Sequence, residues 1–328
     1  MSLHRLVSIR VGVPRPDELA GFYGEMGLAV GGDGRVASPD GGDQVIVEEA
    51  PFRQLLGVEV GASDERDLDA VAGRFAALGI DSTVDGGTVT AVDPTTQVRV
   101  AVAVTAPLVQ SPTPVVVDNR PGATVRRNER AAAEFQGARP PRRLGHLVID
   151  TPDIAATQRF LVDGLGCKVS DHADGIISFL RCSTDHHNIA LVHSPVPILQ
   201  HYSWECDDVD HVGHTATKLL RADPERHAWG FGRHFAGSNF YWYLRDPSGA
   251  FVELFSDLDQ IDDDEAWEAR RGPLALEHVA NSWGPNLPLE FIAPTDLPEL
   301  QAAWAARGWT ATSPSSALGR WAHCWMRR

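Results

Sequence analysis

The sequence predicts an α+β fold of two tandem domains, each built from two βαβββ modules whose strands form an open, curled sheet around a cavity. Three observations lead to this prediction. Strand-like and helix-like segments alternate over residues 4–105, the same order returns near residues 144–257, and each half divides again into two strand-helix-strands units. A repeat of this size indicates a duplicated domain, with helices packed outside the sheets.

The first predicted domain covers residues 1–105. LVSIRVGVP reads as a strand, PDELAGFYGEMGL as a helix ending near Gly27, and VIVEEA as another strand. LLGVEVGA then begins the second module, and DERDLDAVAGRFAALGI is its helix, for which Asp64 can act as N-cap. TVTAVDPTTQVRVAVAV closes the domain as a hairpin.

Three further segments complete the predicted organisation. Residues 106–140 are rich in Pro, Val, Arg and Ala and form a linker with one short helix at most. Residues 141–260 repeat the pattern of the first domain, beginning with LGHLVIDTPDIAATQRFLVDGLG. Residues 261–328 form a tail that we expect to pack near the functional site, with a helix from Asp262 to Arg271 followed by an irregular Trp- and Pro-rich segment.

A hairpin within Arg233–Phe255 is the most distinctive local feature of the second domain. Its turn, Asp246–Gly249, has the sequence DPSG, in which Pro suits the first turn position and Gly suits a left-handed one. A three-residue loop with a bulge would close on Asp246 and Ala250 and would place Tyr243 directly opposite Glu253. A two- or four-residue loop would place these two side chains on opposite faces.

Glu253 is the unusual residue of this hairpin. It shares a strand face with Phe251 and Phe255, which is the face that a buried strand turns inward. A carboxylate buried among phenylalanines is costly unless a cation or strong donors compensate it. The hairpin alone leaves two ordinary explanations open, namely an edge strand whose Glu points to water and an ion pair with an arginine.

Aligning the two halves on their turns separates functional from structural positions. Three inward strand positions carry two imidazoles and a carboxylate in the second half, and the aligned positions of the first half carry no histidine or carboxylate. His146 aligns with Ser8, His201 with Leu55 and Glu253 with Val100. Residues that the fold itself requires should be shared by both halves. Each histidine alone could be an ordinary core or surface residue, but together the three form a facial metal triad with three open positions.

The motifs GHLVID, LQHYSWEC and YLRDPSGAFVELF resemble the vicinal oxygen chelate superfamily, and within it they are most similar to the type I extradiol catechol dioxygenases. The resemblance covers about residues 4–260, with specific motifs in the second domain and only the architecture in the first. It implies that His146, His201 and Glu253 bind non-haem Fe(II), or in some members Mn(II).

The resemblance also implies three residues around the metal. DHHNIAL matches a family segment with an acid–base histidine, which selects His187, or His186 if the strand is shifted by one residue. GRH supplies His234 and YLRDP supplies Tyr243. The ordinary alternatives are exposed loop positions for His187 and His234 and a core position for Tyr243.

The implied activity is extradiol cleavage, in which O2 is inserted into the ring of a catechol-type aromatic diol. His187 would accept a phenolic proton and later return it, while His234 and Tyr243 would donate hydrogen bonds at the reacting oxygens. Two alternatives share the fold, a glyoxalase-like metalloisomerase and a metal-free small-molecule binding protein. A metalloisomerase would usually have four protein ligands, and a binding protein would need no triad.

Composition and charge limit the partners. The formal net charge of −15 disfavours nucleic acid and anionic membranes, and no apolar run approaches the ~20 residues that span a bilayer. We expect a cytoplasmic location, since the N-terminus has no secretory pattern and the four scattered cysteines suit reduced thiols. We also expect a homo-oligomer. The lack of a basic cluster favours an uncharged substrate. Candidates for the pocket wall, each of which could equally belong to the core, are Phe231, Phe235, Asn239, Trp242 and Trp283.

Overall fold

The structure is a computed structural model of the 328-residue chain, and it describes residues 3–113, 117–272, 274–275 and 280–309. The N-terminal half contains two βαβββ modules. The first comprises β1 (Leu3–Val13), α1 (Pro16–Met26), β2 (Ala29–Val30), β3 (Arg35–Ser38) and β4 (Gly42–Glu49). The second comprises β5 (Gln54–Ala62), α2 (Glu65–Ala77), β6 (Ser82–Asp85), β7 (Thr88–Val92) and β8 (Arg99–Val104).

The C-terminal half repeats both modules. The third module comprises β9 (Arg143–Thr151), α3 (Ile154–Arg159) with a π-helical continuation over Phe160–Leu165, β10 (Lys168–Ala173), β11 (Ile177–Arg181) and β12 (Ile189–His193). The fourth comprises β13 (Ile198–Glu205), α4 (Val209–Ala222), β14 (His227–Arg233), β15 (Phe240–Arg245) and β16 (Phe251–Ser256). Asp64 caps α2 through a capping box, as predicted, and Asp208 caps α4.

Each half forms one eight-stranded sheet with the same topology. The strand order is β2-β3-β4-β1-β5-β8-β7-β6 in the first sheet and β10-β11-β12-β9-β13-β16-β15-β14 in the second. The first strands of the two modules meet antiparallel at the centre of each sheet, β1 with β5 and β9 with β13. Both sheets are curled and neither closes into a barrel. The predicted α+β fold of two tandem domains is therefore confirmed.

The hairpin prediction is confirmed in detail. The backbone N–H of Asp246 donates to the carbonyl of Ala250 at 3.0 Å, and Gly249 has a φ of 88°. In the resulting register Tyr243 pairs directly with Glu253. Both side chains therefore lie on one face of the β15–β16 pair.

The strand registers correct the first-half counterpart of Glu253. The closing hydrogen bond spans Asp93–Val98 in the first half but Asp246–Ala250 in the second, so the first turn is one residue longer. Counting from the Asp-Pro pair therefore shifts β8 by one position. Glu253 corresponds to Ala101, and the earlier match to Val100 is wrong.

The counterpart of His201 is also corrected. His201 lies as far before the helix cap Asp208 as Gly57 lies before the cap Asp64. The match of His201 to Leu55 depended on the glutamine that precedes each of them, and it is wrong by two positions. Gly57 carries no ligating side chain, so the difference between the two halves remains.

Side chains alternate between the core and a cavity along the central strands of the second sheet. The residues that pack in the main hydrophobic core, on the side of α4, are Tyr202, Trp204, Val252 and Leu254. His201, Ser203 and Glu253 alternate with them and therefore face the other side of the sheet. The curl of the sheet turns that side into a cavity.

The tail is more regular than predicted. Helix α5 (Asp264–Arg271) lies within the predicted helix, but the segment described as irregular contains a further helix, α6 (Leu297–Ala306). Trp304 of α6 packs edge-on against Phe52 of the first half, with ring centroids 5.4 Å apart. Residues 310–328, including Cys324, lie outside the described residues. None of the described helices is long and apolar enough to cross a membrane.

Candidate metal centre

Three strands bring His146, His201 and Glu253 together. Their ligand atoms lie within 4.8 Å of one another, and all three residues are buried. Ser203 of β13 explains this placement, because it pairs with His146 on one side and with Glu253 on the other. Neighbouring positions on three adjacent strands therefore project the two imidazoles and the carboxylate from one face of the sheet.

The Glu253 carboxylate is fixed by donors on both oxygens. Ser203 Oγ donates to Oε2 at 2.5 Å, and Asn239 Nδ2 donates to Oε1 at 2.9 Å. His146 Nε2 lies 2.7 Å from Oε2, and His201 Nε2 lies 3.7 Å from the same atom. Burial alone would raise the pKa of Glu253, but the neighbouring histidines hold it well below its usual range. Glu253 is thus ionised and fully buried.

A glutamine determines which nitrogen of His201 faces the site. His201 Nδ1 donates to Gln200 Oε1 at 2.9 Å, while the Gln200 amide donates to Asp150 Oδ1 at 3.0 Å and to the Phe291 carbonyl at 3.1 Å. With the proton on Nδ1, His201 presents the lone pair of Nε2 to the cavity. Burial lowers the pKa of His201 to about 3, so the ring is neutral, as a metal ligand must be.

The donor set fits a divalent metal ion. The lone pair of His201 Nε2 faces the negatively charged Oε2 of Glu253 with no proton between them. Two acceptors directed at each other in a buried site are unfavourable unless a cation lies between them. Two neutral imidazoles and one carboxylate are the ligands of facial sites that bind Fe(II) and leave positions open.

Gln200→Leu is expected to lower the affinity for Fe(II) by about 10- to 100-fold, because His201 loses the acceptor that fixes its ring and tautomer. Affinity can be measured by competition with a chromophoric chelator under anaerobic conditions. Gln158→Leu is the matched control, since Gln158 accepts a hydrogen bond from Ser178 and does not contact the triad. Equal affinities for the two variants would contradict the role of Gln200.

His187 and His186 differ in their surroundings. His187 lines the cavity and lies against His146, with ring centroids 4.2 Å apart. Burial holds the pKa of His187 well below its usual range. His186 is not a lining residue and instead bonds to Asp171. The alternative of an exposed loop is wrong for His187, which is 4% exposed although it precedes β12 rather than lying within it.

His234 and Tyr243 form a hydrogen-bonded pair beside the carboxylate. His234 Nδ1 donates to the Ala280 carbonyl at 2.5 Å, and its Nε2 lies 3.0 Å from the Tyr243 hydroxyl and 3.5 Å from Glu253 Oε1. Burial raises the pKa of Tyr243 well above its usual range, so the phenol keeps its proton. Both residues line the cavity. His234 lies in the loop after β14 but is partly buried, and Tyr243 is buried in an aromatic cluster as well as facing the cavity.

The cavity wall is largely apolar and differs in part from expectation. Besides the polar residues already described, the wall contains His193 and the following side chains: Val148, Ile176, Ile177, Phe179, Val192, Trp229, Ala236, Ala280, Leu287, Phe291 and Ile292. Four of these, from Ala280 to Ile292, belong to the tail. The candidates Phe231, Phe235, Asn239, Trp242 and Trp283 are not among the lining residues, although Asn239 holds Glu253 from behind.

A sequence profile identifies the part of the chain that contains this centre. The profile of the Glyoxalase/Bleomycin resistance protein/Dioxygenase superfamily matches residues 143–254. That range begins at β9 and ends within β16, so it includes all three residues of the triad.

Curated relatives match the chain over part of its length. Metapyrocatechase 2 of Cupriavidus necator is 38% identical over 158 residues, which is 48% of this chain and 48% of that protein. An iron-dependent extradiol dioxygenase of Rhodococcus jostii (strain RHA1) is 32% identical over 142 residues, covering 39% of this chain and 47% of the relative. The chain thus spans about half the length of the curated relatives that it matches.

Solved structures share the fold over most of the chain. Homoprotocatechuate 2,3-dioxygenase of Brevibacterium fuscum superimposes with a TM-score of 0.68 at 18% identity, covering 89% of this chain and 92% of that one. A Mn(II)-bound glyoxalase of Novosphingobium aromaticivorans gives a TM-score of 0.66 at 24% identity, covering 88% and 94%. At these identities the likeness shows the fold of both halves together and no more.

Proposed function

We propose that the chain is an extradiol dioxygenase that cleaves catechol-type diols with O2, since residues 143–254 match the model of the Glyoxalase/Bleomycin resistance protein/Dioxygenase superfamily. One observation carries the proposal, which is that two imidazoles and a carboxylate converge with two further histidines and a tyrosine on one largely apolar cavity. These residues are His146, His201 and Glu253, and His187, His234 and Tyr243. The names of the curated relatives support the same activity.

The proposed metal is Fe(II), with Mn(II) as the alternative. His146, His201 and Glu253 would hold it, and three ligands leave room for a bidentate diol and one further molecule. When bound, the ion would lower the phenol pKa and bring the diol and O2 together in one coordination sphere. A relative named as iron-dependent supports Fe(II), and a fold neighbour named as Mn(II)-bound supports Mn(II).

His187 is the proposed proton acceptor. Its ring is buried in the cavity wall next to His146, and a neutral imidazole at that position can take the proton of a phenol. Burial, which disfavours the imidazolium, also favours return of the proton later in the reaction.

His234 and Tyr243 are proposed to orient the substrate oxygens. The carbonyl of Ala280 holds the His234 ring by Nδ1, so Nε2 stays beside the Tyr243 hydroxyl and Glu253 Oε1. The protonated phenol of Tyr243 can donate a hydrogen bond to negative charge that develops on the substrate. Two groups fixed before the substrate arrives need little reorganisation during the reaction.

A glyoxalase-like metalloisomerase is the remaining alternative, supported by a fold neighbour of that name. The dioxygenase is favoured because the group of potential ligands found in the described part of the chain has three members, all in the second half. A metal-free binding protein is disfavoured because the acceptors of His201 and Glu253 would face each other in a buried site with no cation between them. A homo-oligomeric assembly and a cytoplasmic location stay predictions.

The test is anaerobic loading of the full chain with Fe(II), followed by catechols and air. We expect O2 uptake with formation of a yellow ring-cleaved product from catechol and 2,3-dihydroxybiphenyl. For 3,4-dihydroxyphenylacetate, kcat/KM should be at least about 10²-fold lower, because no Lys or Arg is among the described residues that line the cavity and the carboxylate would be buried without a partner.

The same preparation distinguishes the alternatives. Loading in parallel with Mn(II), Zn(II) and Ni(II) and assaying each form for O2 uptake and for thiol-dependent isomerisation separates a dioxygenase from an isomerase. Absence of both O2 uptake and a visible product with every catechol would refute the proposed activity.

A further inference from the structure

A buried chain of hydrogen bonds joins His187 to a carboxylate outside the cavity. His187 Nδ1 lies 3.0 Å from His186 Nδ1, and His186 Nε2 lies 2.9 Å from Asp171 Oδ2. His186 is 0% exposed and Asp171 is 7% exposed. Asp171 lines a second concavity on the other side of His186, together with Arg271. The function proposed above gives neither His186 nor Asp171 a role.

The His186 ring and its backbone are held by neighbouring residues. It packs edge-on against Trp267 with ring centroids 5.3 Å apart, and its backbone N–H donates to the Asp259 carbonyl at 2.8 Å. Gly237 lies so close that a Cβ there would be 3.3 Å from His186 Nδ1. The two ring nitrogens have separate partners, His187 for Nδ1 and Asp171 for Nε2.

These contacts determine where the protons lie. An ionised Asp171 can only accept, and Arg271 supplies a positive charge 3.8 Å from its other oxygen, so His186 Nε2 carries a proton and donates it. A neutral His186 then has a lone pair on Nδ1. The bond between the two Nδ1 atoms therefore requires His187 to donate from Nδ1.

We propose that Asp171 and His186 are positioning residues that hold His187 in the Nδ1–H tautomer, which leaves its Nε2 lone pair free to accept the substrate proton. The inference rests on the proposed function for its catalytic consequence. The step transfers one proton. The phenol O–H bond breaks, an N–H bond forms at His187 Nε2, and no oxidation state changes. The opposite tautomer would present an N–H to the phenol and could not accept.

Asp171→Asn is the informative substitution because it keeps the shape of the side chain but adds donors. The amide can donate to His186 Nε2, which permits the reversed chain, with His186 Nδ1–H donating to His187. Asp174→Asn is the matched control, since Asp174 lines the same concavity with its side chain 98% exposed.

Tautomers can be measured on the metal-free full chain labelled with ¹⁵N-histidine, with signals assigned from His186→Asn and His187→Asn. We expect His187 to be protonated at Nδ1 and bare at Nε2 in the wild type and in Asp174→Asn, and to lose this state in Asp171→Asn. A proton on His187 Nε2 in the wild type, or protons on both nitrogens of His186, would overturn the proposal.

Steady-state kinetics test the consequence. Asp171→Asn should lower kcat by about 10²-fold with KM within about twofold, and Asp174→Asn should match the wild type. His186→Asn, whose carbonyl oxygen can stand where Nδ1 stood, should retain more activity than His186→Phe. A kcat for Asp171→Asn within about twofold of the wild type would overturn the positioning role. If the wild type cleaves no catechol, the proposed function fails, while the NMR experiment still decides the tautomer.

Discussion

Replacing Glu253 by glutamine is expected to abolish the proposed ring cleavage and the retention of metal together. The amide keeps the volume and can still bond to Ser203 and Asn239, but it removes the only negative charge of the triad. Loss of a partner behind a ligand already costs about 10- to 100-fold in affinity, so loss of a charged ligand should cost more. The measurement is metal content after loading and desalting, combined with O2 uptake.

The first half of the chain supplies a matched control for this variant. Glu59 pairs with Ser8 and Ala101 as Ser203 pairs with His146 and Glu253, and it accepts a hydrogen bond from Ser8 at 3.1 Å. Glu59→Gln therefore changes a carboxylate on the equivalent face of the other sheet. It should retain metal and activity, and a similar loss in both variants would show that Glu253 acts through folding.

Local sequence chemistry was sufficient to predict the hairpin that carries Glu253. Asp246, Pro247 and Gly249 determine the turn through their own backbone preferences, and the turn determines the register that places Tyr243 opposite Glu253. A repeated order of strands and helices was likewise sufficient for the two-domain architecture. Both features can be identified in the sequence without knowledge of tertiary contacts.

The alignment of the strands of one half with those of the other could not be obtained by matching identical residues. The extra residue in the Asp93–Val98 turn is visible only once the closing hydrogen bond is known, and it moved the counterpart of Glu253 from Val100 to Ala101. Counting back from the helix caps Asp64 and Asp208 aligns β5 with β13 correctly, but only Asp64 was predicted as a cap from the sequence.

The residues that hold the site residues in place were not assigned this role from the sequence, for a different reason, and Asn239 was named only as a candidate for the pocket wall. Gln200, Ser203, Asn239 and Asp171 lie on strands and loops that meet the ligands only in three dimensions. Only Gln200, next to His201 in sequence, carried a local signal. Helix α6 was also missed, although Leu-Pro after Asp296 is a recognisable helix start.

Among the substitutions discussed, Arg143→Met is expected to lower the free energy of unfolding most, by about 3–5 kcal/mol at pH 7. Arg143 is 7% exposed and donates to both oxygens of Asp185, at 2.8 and 3.0 Å, and to Glu205 at 2.6 Å. Without the guanidinium, two carboxylates remain in a poorly hydrated site. Because Asp185 directly precedes His186 and Arg143 begins the strand of His146, activity should fall as well.

The pH dependence of this effect follows from the pKa of Asp185. Burial alone would raise that pKa, but Arg143 holds it below its usual range. A depressed pKa contributes stability above the unfolded value of about 3.9, and the contribution disappears as pH falls through the folded value. In Arg143→Met the carboxylate would instead prefer to be protonated. The difference between the two proteins should therefore be large at pH 7 and shrink toward pH 4.

Urea unfolding at both pH values measures this difference, with Arg10→Met as the control. Arg10 pairs with Glu48 on the surface, where both side chains are 40% exposed or more, and such pairs contribute less than about 1 kcal/mol. A loss for Arg143→Met that does not change with pH would mean that its aliphatic packing, rather than its charge, stabilises the protein. Equal losses for the two variants would mean that burial does not distinguish the two ion pairs.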